Sequence, residues 1–167
     1  ITLKLTASNG AYRPGRILSE DWSQPDRAAI SVDNIAWTQT TTCQKQSGVA
    51  AYMIKAPAES FWLAWGPPFL PPHADEVLES IKAKLPHATI FELAKSRGDR
   101  SVRGIRIGSS LNSDSPHYGV WVQARQHAWE AGSSWVGRGF IDWLASDDQS
   151  AVTLRRIATI HYVPIMD

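Results

Sequence analysis

Apolar and polar side chains alternate over residues 1–7, with Ile1, Leu3 and Leu5 set against Thr2, Lys4 and Thr6. This period of two predicts a half-buried strand. Turn signals follow at Asn9-Gly10 and Pro14-Gly15. Residues 28–32, 35–37, 49–54 and 61–65 are further short runs rich in β-branched and aromatic side chains, parted by polar, Gly or Pro segments. A series of short strands with no helical period predicts a small antiparallel β-sandwich over residues 1–66. Segment 66–72 then carries Pro67, Pro68, Pro71 and Pro72, and so dense a run of prolines predicts a stiff connector and a domain boundary.

Beyond the connector the period changes. Residues 75–85 place Val77, Leu78, Ile81 and Leu85 on one helical face, with Asp75 and Glu76 at the start, Lys82 and Lys84 near the end, and Pro86 as the stop. Residues 88–93 and 102–107 read as two strands around a turn containing Arg97-Gly98-Asp99, a plain hairpin turn rather than an adhesion motif. A polar loop is expected over 109–115, then a strand over 119–124 whose Val120 and Val122 suit a sheet covered on both sides. The next helix is expected to bury a stripe of Trp135, Val136, Phe140, Trp143 and Leu144. Gly137 and Gly139 within it predict close approach to a neighbour. Asp147-Asp148 is expected to cap a short helix reaching Arg155, and residues 158–165 form a last apolar strand. The fold class expected is therefore mixed: an antiparallel β-sandwich, then over 67–167 the first half of an α/β domain with a mixed sheet. The half-domain reading is physical, because a strand such as 158–165 needs neighbours on both sides and covering helices, and the chain offers few.

Composition narrows the function. The 167 residues are 43% hydrophobic and 20% charged with a net charge of +1, which argues against a nucleic-acid or membrane partner. The nearest thing to a basic cluster, Arg97, Arg100, Arg103 and Arg106, is read as solvent-facing or ion-paired. Cys43 is the single cysteine, so an internal disulfide and a Cys-based metal site are excluded, in keeping with a reducing, cytoplasmic location. No apolar run approaches membrane-spanning length and no secretory leader is expected. The chain opens on Ile1 rather than Met, as it would if an earlier segment had been removed. Eight tryptophans are many for this length. Packing into two cores is the favoured account, with Trp37, Trp62 and Trp65 in strand-like patterns, and an exposed platform for peptides or glycans is the sharper one.

Candidate chemistry centres on His127 and Glu130, three positions apart on a polar turn between strand and helix. Imidazole and carboxylate are natural zinc ligands, and the carboxyl end of a strand is where open α/β sheets place their ligands. The alternatives are weaker. Gly132-Ser133-Ser134 is too short for a phosphate loop and lacks the following lysine, and the two serines suit helix caps. His73, His87, His117 and His161 have no partner at ligand spacing.

Residues 119–130, with Ala124-Arg125-Gln126-His127 leading to Glu130 and then Gly132-Ser133-Ser134-Trp135, resemble the first zinc-binding segment of the zinc carboxypeptidases of the M14 class. The opening and the serine-bearing helix look most like the cytosolic carboxypeptidase branch. Ser96-Arg97-Gly98 between two strands is similar to the family's early hairpin. Residues 162–167 resemble its strand leading into an Asn-Pro-Asp-Gly-type loop, with Asp167 where Asn is usual. The β-rich first part and Pro-rich join are similar to the small sandwich that precedes the catalytic domain in that branch.

The resemblance implies metal-assisted peptide hydrolysis, with Zn2+ as cofactor and the C-terminus of a peptide or protein as substrate. His127 and Glu130 match the first two zinc ligands. The third ligand, a histidine, is expected beyond Asp167, together with the catalytic glutamate and the arginine and asparagine that grip the substrate carboxylate. A complementary C-terminal half is the partner this implies, and two ligands alone predict weak metal affinity and no peptidase activity. Trp129 stands where the family commonly carries a substrate-contacting arginine or a glycine. An aspartoacylase-like deacylase, which uses the same ligand pair, and a non-catalytic peptide- or glycan-binding module are the competing readings.

Overall fold

The computed structural model describes residues 2–8, 11–17, 24–108 and 118–166, and the chain divides into two units, Ile1–Pro68 and Phe69–Asp167. The expected loop over 109–115 and His117 lie outside the described residues.

In the first unit, β1 (Thr2–Ser8) pairs antiparallel with β7 (Val49–Lys55), and β7 with β6 (Gln44–Gln46). A second sheet sets β4 (Ala29–Ser31) between β5 (Thr38–Gln39) and β8 (Trp62–Ala64), while β2 (Ala11–Arg13) and β3 (Arg16–Ile17) form a hairpin around Gly15. Ala28, Ala50, Tyr52 and Ile54 make its small core. The strand expected at residues 35–37 is absent. Asp33 Oδ1 accepts from the Ile35 and Ala36 amides at 2.8 Å each, and Asn34 takes φ 59°. That side-chain-to-backbone turn competes with the sheet for the same amides, leaves Ile35 80% exposed, and delays the strand to Thr38.

In the second unit, α1 (Pro71–Lys84) starts inside the proline run, earlier than its apolar period suggests. Pro71 and Pro72 fall in the first turn, where a missing N–H costs nothing and φ is already helical, so the prolines begin a helix as well as ending the connector. His73 Nδ1 accepts from the Leu70 amide at 2.9 Å, and Lys82 Nζ donates to the Pro86 and Ala88 carbonyls at the other end. The sheet runs β11-β12-β10-β9, with β11 (Tyr118–Gln123) at one edge, β9 (Thr89–Lys95) and β10 (Ser101–Ile107) as the hairpin, and β12 (Ala158–Val163) antiparallel to β10. Arg97-Gly98-Asp99 lies in the hairpin turn, where the Asp99 amide donates to the Ser96 carbonyl. Of the basic cluster, Arg103 of β10 is ion-paired, bonded to Asp75 at 2.6 Å and Glu79 at 3.1 Å on α1.

Strand β11 (Tyr118–Gln123) runs parallel to β12, from Tyr118 opposite Ala158 to Gln123 opposite Val163. The crossover between them is α2 (Ala131–Leu144) and α3 (Gln149–Ile157), and α3 is capped by Asp148 as its sequence predicts. Ile105, Ile107, Ile160 and Tyr162 meet Val77, Leu78, Ile81, Ile141 and Leu144 in the core. Val120 and Val122 pack there too, but Trp121 on the opposite face of β11 is exposed, so among the described residues this strand is covered on one side only.

Helix α2 buries Ser134, Gly137, Ile141 and Leu144, so of the expected stripe only Leu144 is fully buried. Val136 is 75% exposed and Trp143 is also exposed, while Trp135 and Phe140 sit at the core margin. The reason is the distance of approach. A Cβ on Gly137 would stand 2.7 Å from the Tyr162 hydroxyl, and Ser134 Oγ donates to the Pro164 carbonyl at 2.8 Å. Small residues therefore meet the sheet where Tyr162 and Pro164 lie, Ile141 and Leu144 fill the core beyond them, and the aromatic residues flank it. The tryptophans follow the same logic: among the described residues Trp62, Trp65, Trp121, Trp129 and Trp143 are exposed and Trp37 and Trp135 half-buried, so these seven do not fill the two cores, and Trp22 lies outside the described residues.

The two glycines of α2 separate the effects. Gly137→Ala should destabilise by about 1–3 kcal/mol through the collision with Tyr162, whereas Gly139→Ala, with nothing within 4 Å, should stabilise by about 0.5–1 kcal/mol. Urea denaturation of both variants measures this.

Candidate metal centre

The loop between β11 and α2 is held at its base before any ligand is considered. The Ala124 amide donates to the Val163 carbonyl at 2.9 Å, adding one more rung after the parallel pair ends. The Met166 amide donates to the Arg125 carbonyl at 2.9 Å, and Arg125 Nη1 to the Phe69 carbonyl at 2.7 Å. The chain leaving β11 is thereby tied both to the segment after β12 and to Phe69, two residues before α1.

Residues 126–130 then close a tight turn. The Glu130 amide donates to the His127 carbonyl at 3.0 Å, and Glu130 takes the N-cap position of α2. Ser133 and Ser134 do not cap the helix. Ser133 Oγ donates to the Glu130 carbonyl at 2.8 Å, and Ser134 is spent on Pro164. The Glu130 carboxylate folds back over the turn instead. Its Oε2 accepts from the Gln126 and His127 amides at 3.0 Å each, and its Oε1 lies 2.8 Å from His127 Nδ1. The hydrogen bond from His127, then the His127 and Gln126 amides, stabilise the ionised carboxylate and draw its pKa down to about 2. Glu130 is thus charged throughout the neutral range, and the shared proton resides on His127 Nδ1.

His127 and Glu130, singled out on spacing alone, are brought together with their donor atoms facing one another. The side chains are 60% and 37% exposed, so the pair opens to solvent. A tetrahedral zinc bonded to nitrogen and oxygen at ordinary lengths would hold the two atoms roughly 3.4 Å apart. The observed spacing needs only a small opening as a cation replaces the proton, so the two residues fit as part of a zinc site. They do not complete one: among the described residues no group of three or more His, Cys, Asp or Glu is placed to hold a metal.

Two of the other histidines are engaged elsewhere. His73 caps α1, and His161 packs in the sheet between Trp121 (ring centroids 6.0 Å) and Phe91 (5.9 Å). Spacing did not reveal the two backbone amides under Glu130, nor the Trp129 indole stacked on the His127 ring at 5.6 Å and 20° between planes. Backbone donors have no signature in a sequence, but an aromatic residue two positions from a candidate ligand is a signal that could have been followed.

The family model of zinc carboxypeptidases matches residues 74–167. Among solved structures, a metallo-carboxypeptidase from Burkholderia cenocepacia superposes with a TM-score of 0.84 at 22% identity, over 99% of this chain and 43% of its own. A Pseudomonas aeruginosa metallo-carboxypeptidase, in complex with (2-guanidinoethylmercapto)succinic acid, gives 0.74 at 17% identity, over 100% of this chain and 46% of its own. The chain therefore spans less than half the length of either. A search of curated proteins gives no match.

The Glu130 carboxyl should titrate near pH 2 instead of near 4.5, followed by carbon-13 NMR. Its folded value lies below its unfolded one, so its contribution to the turn is complete above about 4.5 and disappears as pH falls through about 2. A midpoint at the ordinary glutamate value would mean that the three donors do not hold it.

Proposed function

Because this chain belongs to the zinc carboxypeptidase family, we propose that it is the amino-terminal part of a zinc-dependent metallocarboxypeptidase that hydrolyses C-terminal residues of peptides or proteins. The observation that carries the reading is the convergence of His127 Nδ1 and Glu130 Oε1 just beyond the carboxyl end of β11, within the family-matched region. In this reading residues 1–66 are the sandwich that precedes the catalytic domain, and the sequence of residues 124–135 supports the cytosolic branch. A cytoplasmic location is proposed on the strength of the single cysteine.

When bound, zinc supplies Lewis acidity for the scissile carbonyl and for water. This chain's own residues do the holding. Glu130, charged and fixed by two amides, offers Oε1, and His127 offers Nδ1 once its proton leaves. The ties from Ala124, Arg125 and Met166 keep both in place while the donor atoms separate. The third ligand and the group that takes the proton from water are assigned to a complementary downstream part.

Supplied with that part, the protein should bind zinc and release C-terminal amino acids. His127→Ala and Glu130→Gln should each weaken zinc binding by roughly 100-fold or more, since direct ligands matter at least as much as the residues that orient them. Elemental analysis and calorimetry measure this, and unchanged zinc content in both variants would remove the proposal. Zinc binding without amino-acid release would favour an aspartoacylase-like deacylase. The absence of zinc binding would favour a binding module, for which the exposed Trp62 and Trp65 are the supporting observation.

A further inference from the structure

A metal-binding histidine must keep its ring plane aimed at the cation, and the usual device is a hydrogen bond from its other ring nitrogen to a carboxylate or carbonyl. His127 has no such bond at Nε2 among the described residues. Two contacts orient its ring: the 2.8 Å hydrogen bond from Nδ1 to Glu130 and the stacked indole of Trp129. They differ in what a cation does to them. A bound cation would take both Nδ1 and Oε1, so this hydrogen bond would no longer be there to orient the ring. The stack uses the face of the imidazole, which coordination leaves untouched.

Resting on the zinc reading above, we infer that Trp129 is a positioning residue of the metal centre, holding the His127 ring plane so that Nδ1 stays directed at the cation after its bond to Glu130 is gone. Trp129 can do this because it lies inside the turn closed by the Glu130 amide and the His127 carbonyl, so the two rings share one short backbone frame. It is 60% exposed, so its removal takes little from the core. An offset, nearly parallel pair at 5.6 Å lies within the range where aromatic contacts add measurable stabilisation.

The test is a zinc titration of the protein supplied with its complementary downstream part and carrying nitrogen-15-labelled histidine, which reports the nitrogen bound and a Kd. The wild type should shift at His127 Nδ1. Trp129→Phe, which keeps a flat ring, should bind within about twofold, and Trp129→Leu should bind about five- to tenfold more weakly with an unchanged thermal midpoint. Trp129→Leu titrating like the wild type would overturn the positioning role and leave the zinc reading standing. The absence of any zinc-dependent shift at His127 in the wild type would overturn both. A Trp129→Phe variant as weak as Trp129→Leu would also overturn it, because the flat ring would then not be what matters.

Discussion

The Glu130 carboxylate accepts from three donors at once, the amides of Gln126 and His127 and the ring of His127, and the loop after β11 takes its shape from that. Without it the turn would carry two amides at a helix entrance with no acceptor, at the end of α2 where unpaired N–H groups already accumulate. With it, one side chain orders the backbone, stays ionised, and presents an oxygen beside an imidazole nitrogen. Structural and chemical roles coincide in the same group.

The position of that group depends on packing further along the chain. Strand β11 lies parallel to β12, so its carboxyl end opens beside Val163 and the Pro164–Met166 segment, which returns a hydrogen bond to Arg125. Helix α2 can start directly after Glu130 because its inner face is small. Gly137 lets it settle against Tyr162, and Ser134 bonds the Pro164 carbonyl. A bulkier inner face would lift the helix and, with it, the N-cap residue that builds the site. Site and core are coupled through a few contacts at the top of one crossover.

Much of this was legible in the chain. The strands at β7 and β10, the apolar face of α1 and the Asp148 cap all follow local rules that act within one element. Local competition accounts for two departures from those rules. Asp33 captures amides that an apolar run at residues 35–37 is expected to give to a sheet, and Pro71 and Pro72 open a helix inside the run read as a connector. The candidate pair was legible because a His and a Glu three apart on a tight turn must lie near each other whatever surrounds them.

By itself, then, the sequence determined the order and kind of most elements and the nearness of His127 to Glu130, because those depend on neighbours only a few positions apart. Tertiary structure alone decided which face α2 buries, that most of the tryptophans stand at the surface, and which groups orient the His127 ring. The physical reason is that the buried face of a helix is chosen by how closely it can approach its partner. Apolar periodicity records the character of side chains and not the depth of the groove they meet, and here that groove is the surface around Tyr162 on a strand formed much later in the chain.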